Sequence, residues 1–375
     1  MPREYDVPET TTAATAGAGA DLTRPAGHVP RRWWRRAGAA VLIVMLLGAA
    51  AAVYGAYGYV PPEPGRSYHS AYLAGVPWHY ADTPVARFFY LHEGTGTPVV
   101  LIPPGGAPAY AWHNQLTALA GAGHSVYVVD LPGQGRTVLH DPGFGWDLPA
   151  MTSALASFLD AVGLRRTALV GNSWSGGCAL AFAQRYPQRV SRLVLVDSSG
   201  LNVPDIWAWR VFKVPVLGEL LANFDVTQGS VRSFLDMAMY HTRLVTAQMV
   251  NEFWAPATYR VNRRATVLLE RRLDWSQTQA RLGSTATPTL ILWGRQDRVL
   301  ASWQAGQLAR ALPHAAAHVL PGCGHLLELD CPRQANQYLA GFLARAGTGR
   351  IISAGTFRRA AAPYPVTTSS RKAGR

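Results

Sequence analysis

The stretch LVGNSWSGGCAL, residues 169–180, places Ser173 and Ser175 among small residues at the end of an apolar run. This pattern is typical of a strand that turns sharply into a helix and exposes a serine at the turn. The turn requires small residues two positions before and after the serine, and both serines meet that condition. Choosing Ser175 would extend the strand through Gly171 and Asn172, which weaken strands. We therefore predict that Ser173 occupies the turn.

Short apolar runs alternate with helical segments on both sides of this stretch. The runs are nearly continuous in Val, Leu and Ile, which indicates strands buried on both faces. Strand–helix alternation of this kind predicts an α/β fold with a mostly parallel sheet flanked by helices. The predicted strands are 87–94, 98–106, 124–135, 167–171, 192–200, 287–297 and 315–325, and the predicted helices are 112–123, 148–164, 174–186 and 332–347.

Residues 201–285 interrupt this alternation with helical patches and loops, and we call them the lid segment. An insertion between two strands of such a sheet lies over its carboxyl edge, where ligands bind. Its aromatic side chains predict an apolar pocket, or alternatively serve the packing of the lid itself. We expect Arg263, Arg264 and His241 to lie on a solvated face. The alternative is that they contact a polar end of a substrate. The sheet-forming core is then 61–200 and 286–346.

Residues 37–60 contain no charged side chain and, as a helix of about 36 Å, would cross a hydrocarbon core of about 30 Å. Four arginines lie in the segment 31–36 directly before this run, and only Arg66 follows it closely. This asymmetry predicts a single-pass membrane anchor with 1–36 cytoplasmic and the rest of the chain extracytoplasmic. The alternative is a signal peptide that is cleaved to give a secreted protein.

The net charge of +13 is concentrated toward the ends of the chain, including the basic tail 347–375, which we expect to be disordered. We find no basic stripe with interleaved aromatic residues, so we expect no nucleic-acid partner. The three cysteines have no metal-ligand spacing, and we expect neither a metal nor another cofactor. A Cys323–Cys331 disulfide is one possibility for a segment outside the cytoplasm.

Three polar residues follow predicted strands in the order Ser173, Asp297, His325. In a parallel sheet the carboxyl ends of strands meet at one edge, so these side chains are expected to converge. Histidine would accept the serine proton, and aspartate would orient and stabilise the imidazolium. Taken singly, each residue also fits a structural role as a cap, a turn residue or a loop histidine. Asp197 is a weaker candidate for the acid, and Asp130 is expected to order the loop that follows it.

From about residue 87 to 346 the chain resembles the lid-bearing esterases and C–C hydrolases of the α/β-hydrolase fold. The stretches that carry the resemblance are VGNSWSGGCALAFAQRYPQRV, YVVDLPGQGRT, LILWGRQDRV and GCGHLLELDCP. The resemblance implies that Ser173 is the nucleophile, Asp297 the acid and His325 the base. Where the family usually has His-Gly in the oxyanion loop, this chain has Pro103 and Pro104. The resemblance then implies that the backbone N–H groups of Gly105 and Trp174 form the oxyanion hole.

These observations predict a membrane-anchored serine hydrolase that cleaves a carboxylic ester of a small apolar substrate through an acyl-enzyme. The first alternative is hydrolysis of a C–C bond or an amide by the same triad. A second alternative is a binding module that keeps the fold without catalysis, and a third is an extracytoplasmic scaffold that acts through its basic tail.

Overall fold

The computed structural model describes residues 31–204 and 206–344. The chain divides into two compact units, Met1–Ala51 and Ala52–Arg375. The predicted basic segment 1–36 lies mostly outside the described residues, and the predicted disordered tail 347–375 lies wholly outside them.

Helix α1, Arg31–Val53, accounts for the described part of the first unit, and a further helical turn, Tyr54–Gly58, continues it. The apolar side chains from Val41 to Leu47 are more than half exposed. By length and composition, Arg32–Gly58 is sufficient to cross a membrane. A signal sequence shares these properties, so the choice between anchor and cleaved signal stays a prediction.

The second unit is built on one sheet of nine strands. Its strand order is β1-β2-β4-β3-β6-β7-β8-β9, and β5 pairs with β2. The pairs from β4 through β3 to β9 are parallel, and β1, β2 and β5 are antiparallel additions at one edge. The strands are Trp78–Asp82 (β1), Ala86–Glu93 (β2), Thr97–Ile102 (β3), His124–Val129 (β4), Val138–Leu139 (β5), Thr167–Asn172 (β6), Val190–Val196 (β7), Thr289–Gly294 (β8) and Ala315–Leu320 (β9).

Helices cover both faces of this sheet, and each face has its own apolar cluster. One cluster includes Phe158 and Phe182 of α3 and α4, and the other includes Leu116 and Leu339 of α2 and α13. The helices of the second unit are His113–Gly121 (α2), Leu148–Ala161 (α3), Trp174–Arg185 (α4), Trp207–Arg210 (α5), Leu217–Phe224 (α6), Gln228–Ala238 (α7), Ala247–Ala257 (α8), Arg260–Arg272 (α9), Ser276–Gln279 (α10), Trp303–Ala311 (α11), Leu327–Asp330 (α12) and Pro332–Leu343 (α13).

The predicted α/β fold is confirmed, and every predicted strand and helix of the core is present. The sequence did not reveal β1 or β5. The β1 segment WHYAD has no continuous apolar run because it lies at the edge of the sheet, where only Ala81 is buried. Between β7 and β8 the described chain forms the six helices α5 to α10, which match the predicted lid segment in position.

A disulfide joins Cys323 and Cys331, with a sequence separation of eight residues. The bond encloses Gly324 and His325, which follow β9, together with the short helix α12. It therefore restricts the backbone of the loop that carries His325.

We predict that a double variant, Cys323→Ser with Cys331→Ser, unfolds with a free energy lower by about 2.5 kcal/mol, the chain-entropy value for a loop of about eight residues. Urea titration followed by circular dichroism measures the change. A reductant should lower the stability of the wild-type protein by a similar amount and leave the double variant unaffected. Equal wild-type stability with and without reductant would show that the bond does not contribute.

Candidate active site

Ser173 lies at the turn between β6 and α4, as predicted, and Ser175 does not. Its backbone has φ +58°, in the left-handed region that residues other than glycine rarely adopt. The strand nevertheless runs through Gly171 and Asn172, so the argument from strand length was wrong. The strand tolerates Gly171 because a Cβ there would lie 2.5 Å from the Ser175 carbonyl oxygen, and only glycine fits so close an approach.

The three predicted side chains meet in one hydrogen-bonded row. Ser173 Oγ lies 3.0 Å from Nε2 of His325, and Nδ1 of the same ring lies 2.9 Å from Oδ2 of Asp297. The other carboxylate oxygen, Oδ1, accepts the backbone N–H groups of Val299 and Leu300 at 2.7 and 2.8 Å. The Asp297 side chain has no exposed surface, and that of His325 is 2% exposed. A protonated Nδ1 donating to Asp297 leaves Nε2 free to accept the serine proton.

The loop after β3 brings Gly105 to Trp174, the two residues predicted to form the oxyanion hole. A Cβ on Gly105 would lie 1.9 Å from the Trp174 indole, so this contact requires glycine. Trp174 is the first residue of α4, and its N–H therefore has no partner within that helix. Within the described part of the chain, neither backbone N–H donates to an acceptor. The backbone N–H groups of Gly105 and Trp174 therefore remain available as donors despite Pro103 and Pro104.

Gln134 supports this loop, and sequence reasoning did not identify it. Its buried amide Nε2 donates to the carbonyl oxygens of Pro103 and Pro104 at 2.9 and 2.8 Å, and lies 3.4 Å from Ser175 Oγ. Its Oε1 accepts the N–H of Leu131 at 3.0 Å. One side chain therefore joins the loop after β4, the Pro-Pro loop and the first turn of α4. The motif DLPGQGR was the available signal, because a glutamine in a Gly/Pro loop suggests side-chain bracing of the backbone.

Asp130, at the start of the same motif, orders its loop as predicted. Its Oδ2 accepts the N–H of Arg136 at 2.8 Å, and its own carbonyl oxygen accepts the hydroxyl of Thr137 at 2.5 Å. Complete burial raises the pKa of this carboxyl to about 7.

Two more residues fix the loop that carries His325. Asn172 Nδ2 donates to the carbonyl oxygens of His325 and Val196, both at 3.1 Å. Asp330 is buried and accepts the N–H of Gly324 at 2.6 Å and those of Tyr240 and His241 at 2.8 Å. Asp330 therefore ties the residues after α7 to the histidine loop.

His241 and Arg263 depart from the solvated face that we expected for them. The His241 ring lies 3.0 Å from Asp330 through Nδ1. Arg263 is 6% exposed, and its guanidinium donates to the carbonyl oxygens of Thr258, Asn223 and Pro62. These oxygens, two of them at helix ends, accept three of its five N–H donors and so compensate for part of the cost of burying the charge.

A cavity of about 110 Å³ lies between the loop after β3 and the lid segment. Its lining includes Gly106 of that loop, Leu221 and Ala222 of α6, and the buried Arg263 of α9. No described carboxylate forms an ion pair with Arg263. The lining also includes the acidic residue Asp225 and the polar residues Asn262 and Thr266, so the cavity has both apolar and polar walls beside the buried positive charge of Arg263.

Buried carboxyl groups surround the relay. Asp197 is the weaker acid candidate; its Oδ1 accepts the N–H of Gly294 at 2.6 Å, and it makes no hydrogen bond to His325. Burial and the nearby negative charge of Asp297 raise the pKa of Asp197 well above its usual range. Burial also raises the pKa of Glu328 to about 8. The shift at Glu328 favours its neutral form near neutral pH. Asp297 is the carboxyl group that contacts the imidazole.

A serine on a strand–turn–helix elbow, a histidine and an aspartate in hydrogen-bonded order define the α/β-hydrolase class. The chain belongs to this family, whose model, described as the alpha/beta hydrolase fold, matches residues 97–330. The resemblance drawn from the sequence is thereby confirmed.

Among its relatives is a 2-hydroxy-6-oxononadienedioate/2-hydroxy-6-oxononatrienedioate hydrolase of Burkholderia vietnamiensis. It is 30% identical over 270 residues, which cover 69% of this chain and 91% of the relative. The meta-cleavage product hydrolase of Pseudomonas fluorescens IP01 shares the fold at a TM-score of 0.61 and 23% identity, covering 72% of this chain and 97% of that structure. A bacterial membrane phospholipase A matches at a TM-score of 0.61 and 25% identity, covering 82% of this chain and 98% of that structure.

We predict that Gln134→Leu slows the reaction of Ser173 with a fluorophosphonate by about 10- to 100-fold. The variant no longer holds the carbonyl groups of Pro103 and Pro104, so the N–H of Gly105 is displaced and stabilises the oxyanion less well. The rate constant for covalent labelling measures this without a known substrate. Gln184→Leu is the matched control, since Gln184 also donates to a backbone oxygen and a hydroxyl, at Thr278 and Thr285. Equal labelling rates for the wild-type protein and Gln134→Leu would contradict the bracing role.

We predict that the stability of the wild-type protein falls as pH rises from about 4.5 to about 8, in part through Glu328. Its carboxyl binds a proton more tightly in the folded state than in the unfolded state, so deprotonation of the unfolded chain favours unfolding across this interval. In Glu328→Gln the fall in melting temperature between pH 5 and pH 8 should be smaller. An equal fall in melting temperature for the wild-type protein and Glu328→Gln would contradict a raised pKa of the buried Glu328 carboxyl group.

Proposed function

We propose that this protein is a serine hydrolase in which Ser173 attacks a carbonyl carbon. His325 accepts the serine proton at Nε2 and returns it to the leaving group, while Asp297 orients the ring and stabilises the imidazolium. The N–H groups of Gly105 and Trp174 donate to the developing oxyanion. Water then releases the acyl group from Ser173, with His325 as the base. The supporting observation is the buried relay, with contacts of 3.0 and 2.9 Å.

Within this class we put hydrolysis of a C–C bond first. The curated relatives with 26–30% identity are hydrolases of 2-hydroxy-6-oxo dienoates and their dicarboxylate analogues. Such substrates carry a carboxylate and an apolar or second acidic end. Arg263 is a buried cation that forms no ion pair with a described carboxylate, and it lines the cavity together with Gly106 and Asp225. It is our candidate for contact with a substrate carboxylate.

Hydrolysis of a carboxylic ester of an apolar substrate is the second candidate, and one observation favours it. The match to the membrane phospholipase A spans 82% of this chain, more than residues 61–344 alone amount to. That match therefore extends beyond the hydrolase core, and the apolar helix precedes the core directly. An enzyme held at a membrane has access to acyl esters in the bilayer.

We further propose that 37–60 is a single-pass anchor, with 1–36 cytoplasmic and the hydrolase domain extracytoplasmic. Residues 61–200 and 286–346 form the hydrolase core, and 201–285 act as a lid over it. The arginines at the start of α1 support this orientation, and the Cys323–Cys331 bond suits an oxidising compartment.

We predict that a fluorophosphonate labels the full-length protein on the peptide that contains Ser173. Ser173→Ala should take no label, and Ser175→Ala should retain it, because only Ser173 contacts the His325 imidazole. Mass spectrometry of the digested protein identifies the modified residue. An unlabelled wild-type protein would support the binding-module alternative instead.

A substrate panel then distinguishes hydrolysis of a C–C bond from hydrolysis of a carboxylic ester. A 2-hydroxy-6-oxo dienoate consumed with a kcat/KM well above that for p-nitrophenyl esters favours C–C hydrolysis, and the reverse order favours ester hydrolysis. Arg263→Gln should raise KM for the dienoate by about 10-fold or more, since a charge-assisted hydrogen bond contributes about 1.5–3 kcal/mol. An equal effect on an uncharged ester would show that Arg263 supports the fold and not the carboxylate.

A further inference from the structure

The residues that follow α1 pack against helix α6 of the lid segment. Gly55 and Ala56 are buried, and their carbonyl oxygens accept hydrogen bonds from Asn223 Nδ2 at 3.0 and 3.2 Å. The Tyr59 ring stacks on Phe224 with 4.8 Å between ring centroids. The apolar helix therefore leads directly into a segment that contacts α6.

Further contacts fix the start of α6. The N–H of Val216 donates to the Tyr57 hydroxyl at 3.2 Å, and Val216 has φ +68°, which a β-branched residue rarely adopts. Arg271 of α9 binds Glu219 through two hydrogen bonds and also donates to carbonyl oxygens of the loop before α6. Helix α6 is thus held on one side by the segment 54–60 and on the other by α9.

Several large apolar side chains in and next to these segments keep much of their surface exposed. We define the juxtamembrane face by five exposed residues: Tyr57, Trp207, Val214, Leu217 and Phe224. Trp207 is 82% exposed and Phe224 is 55% exposed. Leu217 and Phe224 lie on α6, and Tyr57 accepts a hydrogen bond from the residue directly before that helix. Helix α5, which carries Trp207, contacts the turn 211–213, and that turn contacts α6. Exposed apolar patches mark sites of interaction with proteins or membranes.

We propose that the juxtamembrane face docks on the lipid surface of the membrane that holds α1, and that apolar substrate reaches the site from the bilayer past α6. Gly55, Ala56 and Tyr59, at the end of the candidate span Arg32–Gly58, contact α6, so this helix lies where the chain leaves the membrane. Tryptophan and tyrosine favour this interfacial zone because their rings are apolar and their tips polar. The substrate route rests on the proposed function; the docking rests only on the anchor.

The cavity described above lies on the inner side of the same helix. Leu221 and Ala222 of α6 line it, together with Phe212 of the preceding loop and Gly106 of the oxyanion loop. Helix α6 therefore contributes to both surfaces. Leu217 and Phe224 belong to the exposed juxtamembrane face, and Leu221 and Ala222 line the cavity. A small displacement of α6 would connect the lipid surface with the loop that holds Gly105.

Docking is tested with nitroxide labels on the full chain in phosphatidylcholine vesicles. Cys178 is buried and the other two cysteines are bonded, so the label reacts with an introduced cysteine. A label on Trp207→Cys should be accessible to oxygen and protected from a water-soluble nickel complex. A label on Trp303→Cys is the control, since Trp303 is 55% exposed on α11, which packs on β8 and β9. Equal access of the nickel complex at both positions would overturn the docking, whether or not the protein is an active hydrolase.

The substrate route is tested with two fluorophosphonates, a long-alkyl probe placed in the vesicles and a short-alkyl probe in water. Leu217→Glu should slow labelling by the long probe about 10-fold, because the variant loses the favourable free energy of one apolar side-chain contact with the alkyl chain. The labelling rate of the short probe should stay unchanged. Val138→Glu is the control at an apolar residue of similar exposure on β5 and should change neither rate. An equal loss with both probes, or a loss with neither, would contradict the route.

Discussion

The hydrogen-bonded row from Ser173 through His325 to Asp297 is the interaction on which the rest of the site depends. Its members come from the loops that follow β6, β8 and β9, so only the parallel sheet brings them together. Burial of the imidazole and the carboxylate excludes water, and the two backbone N–H groups on Asp297 prevent it from turning away. The left-handed backbone at Ser173 projects the hydroxyl toward the ring, a local strain that the surrounding packing must offset.

Side chains outside the row keep the flexible parts of the site in place. Gln134 holds the Pro-Pro loop, Asn172 holds the histidine loop, and Asp330 connects that loop to the residues after α7. Each of these side chains donates to or accepts from backbone groups that loops leave unpaired. The two prolines in the oxyanion loop lack an N–H, but their carbonyl oxygens are what Gln134 binds. The departure from the usual His-Gly pair therefore comes with its own support.

The sequence predicted the core fold and the row of three side chains because both follow local rules. Buried parallel strands read as continuous apolar runs, and reactive groups at strand ends converge by topology. It did not predict β1, whose edge position removes the apolar signal, or the roles of Gln134 and Asp330, which depend on partners distant in the chain. Arg263 was misjudged for the same reason: its three acceptors lie on the linker at Pro62, the end of α6 and the end of α8. The disulfide was left open because spacing cannot show that two Cβ atoms approach.

The family is established by the fold, whereas the bond that is cleaved and the role of the membrane are our proposals. Both candidate reactions require that Ser173 carries an acyl group during turnover. The most direct measurement is rapid-quench mass spectrometry of the full-length protein mixed with a p-nitrophenyl ester. The account predicts a stoichiometric burst of nitrophenolate with the acyl group on the peptide that contains Ser173, and no burst in His325→Ala. Nitrophenolate released by the wild-type protein without an acyl group on that peptide would contradict it.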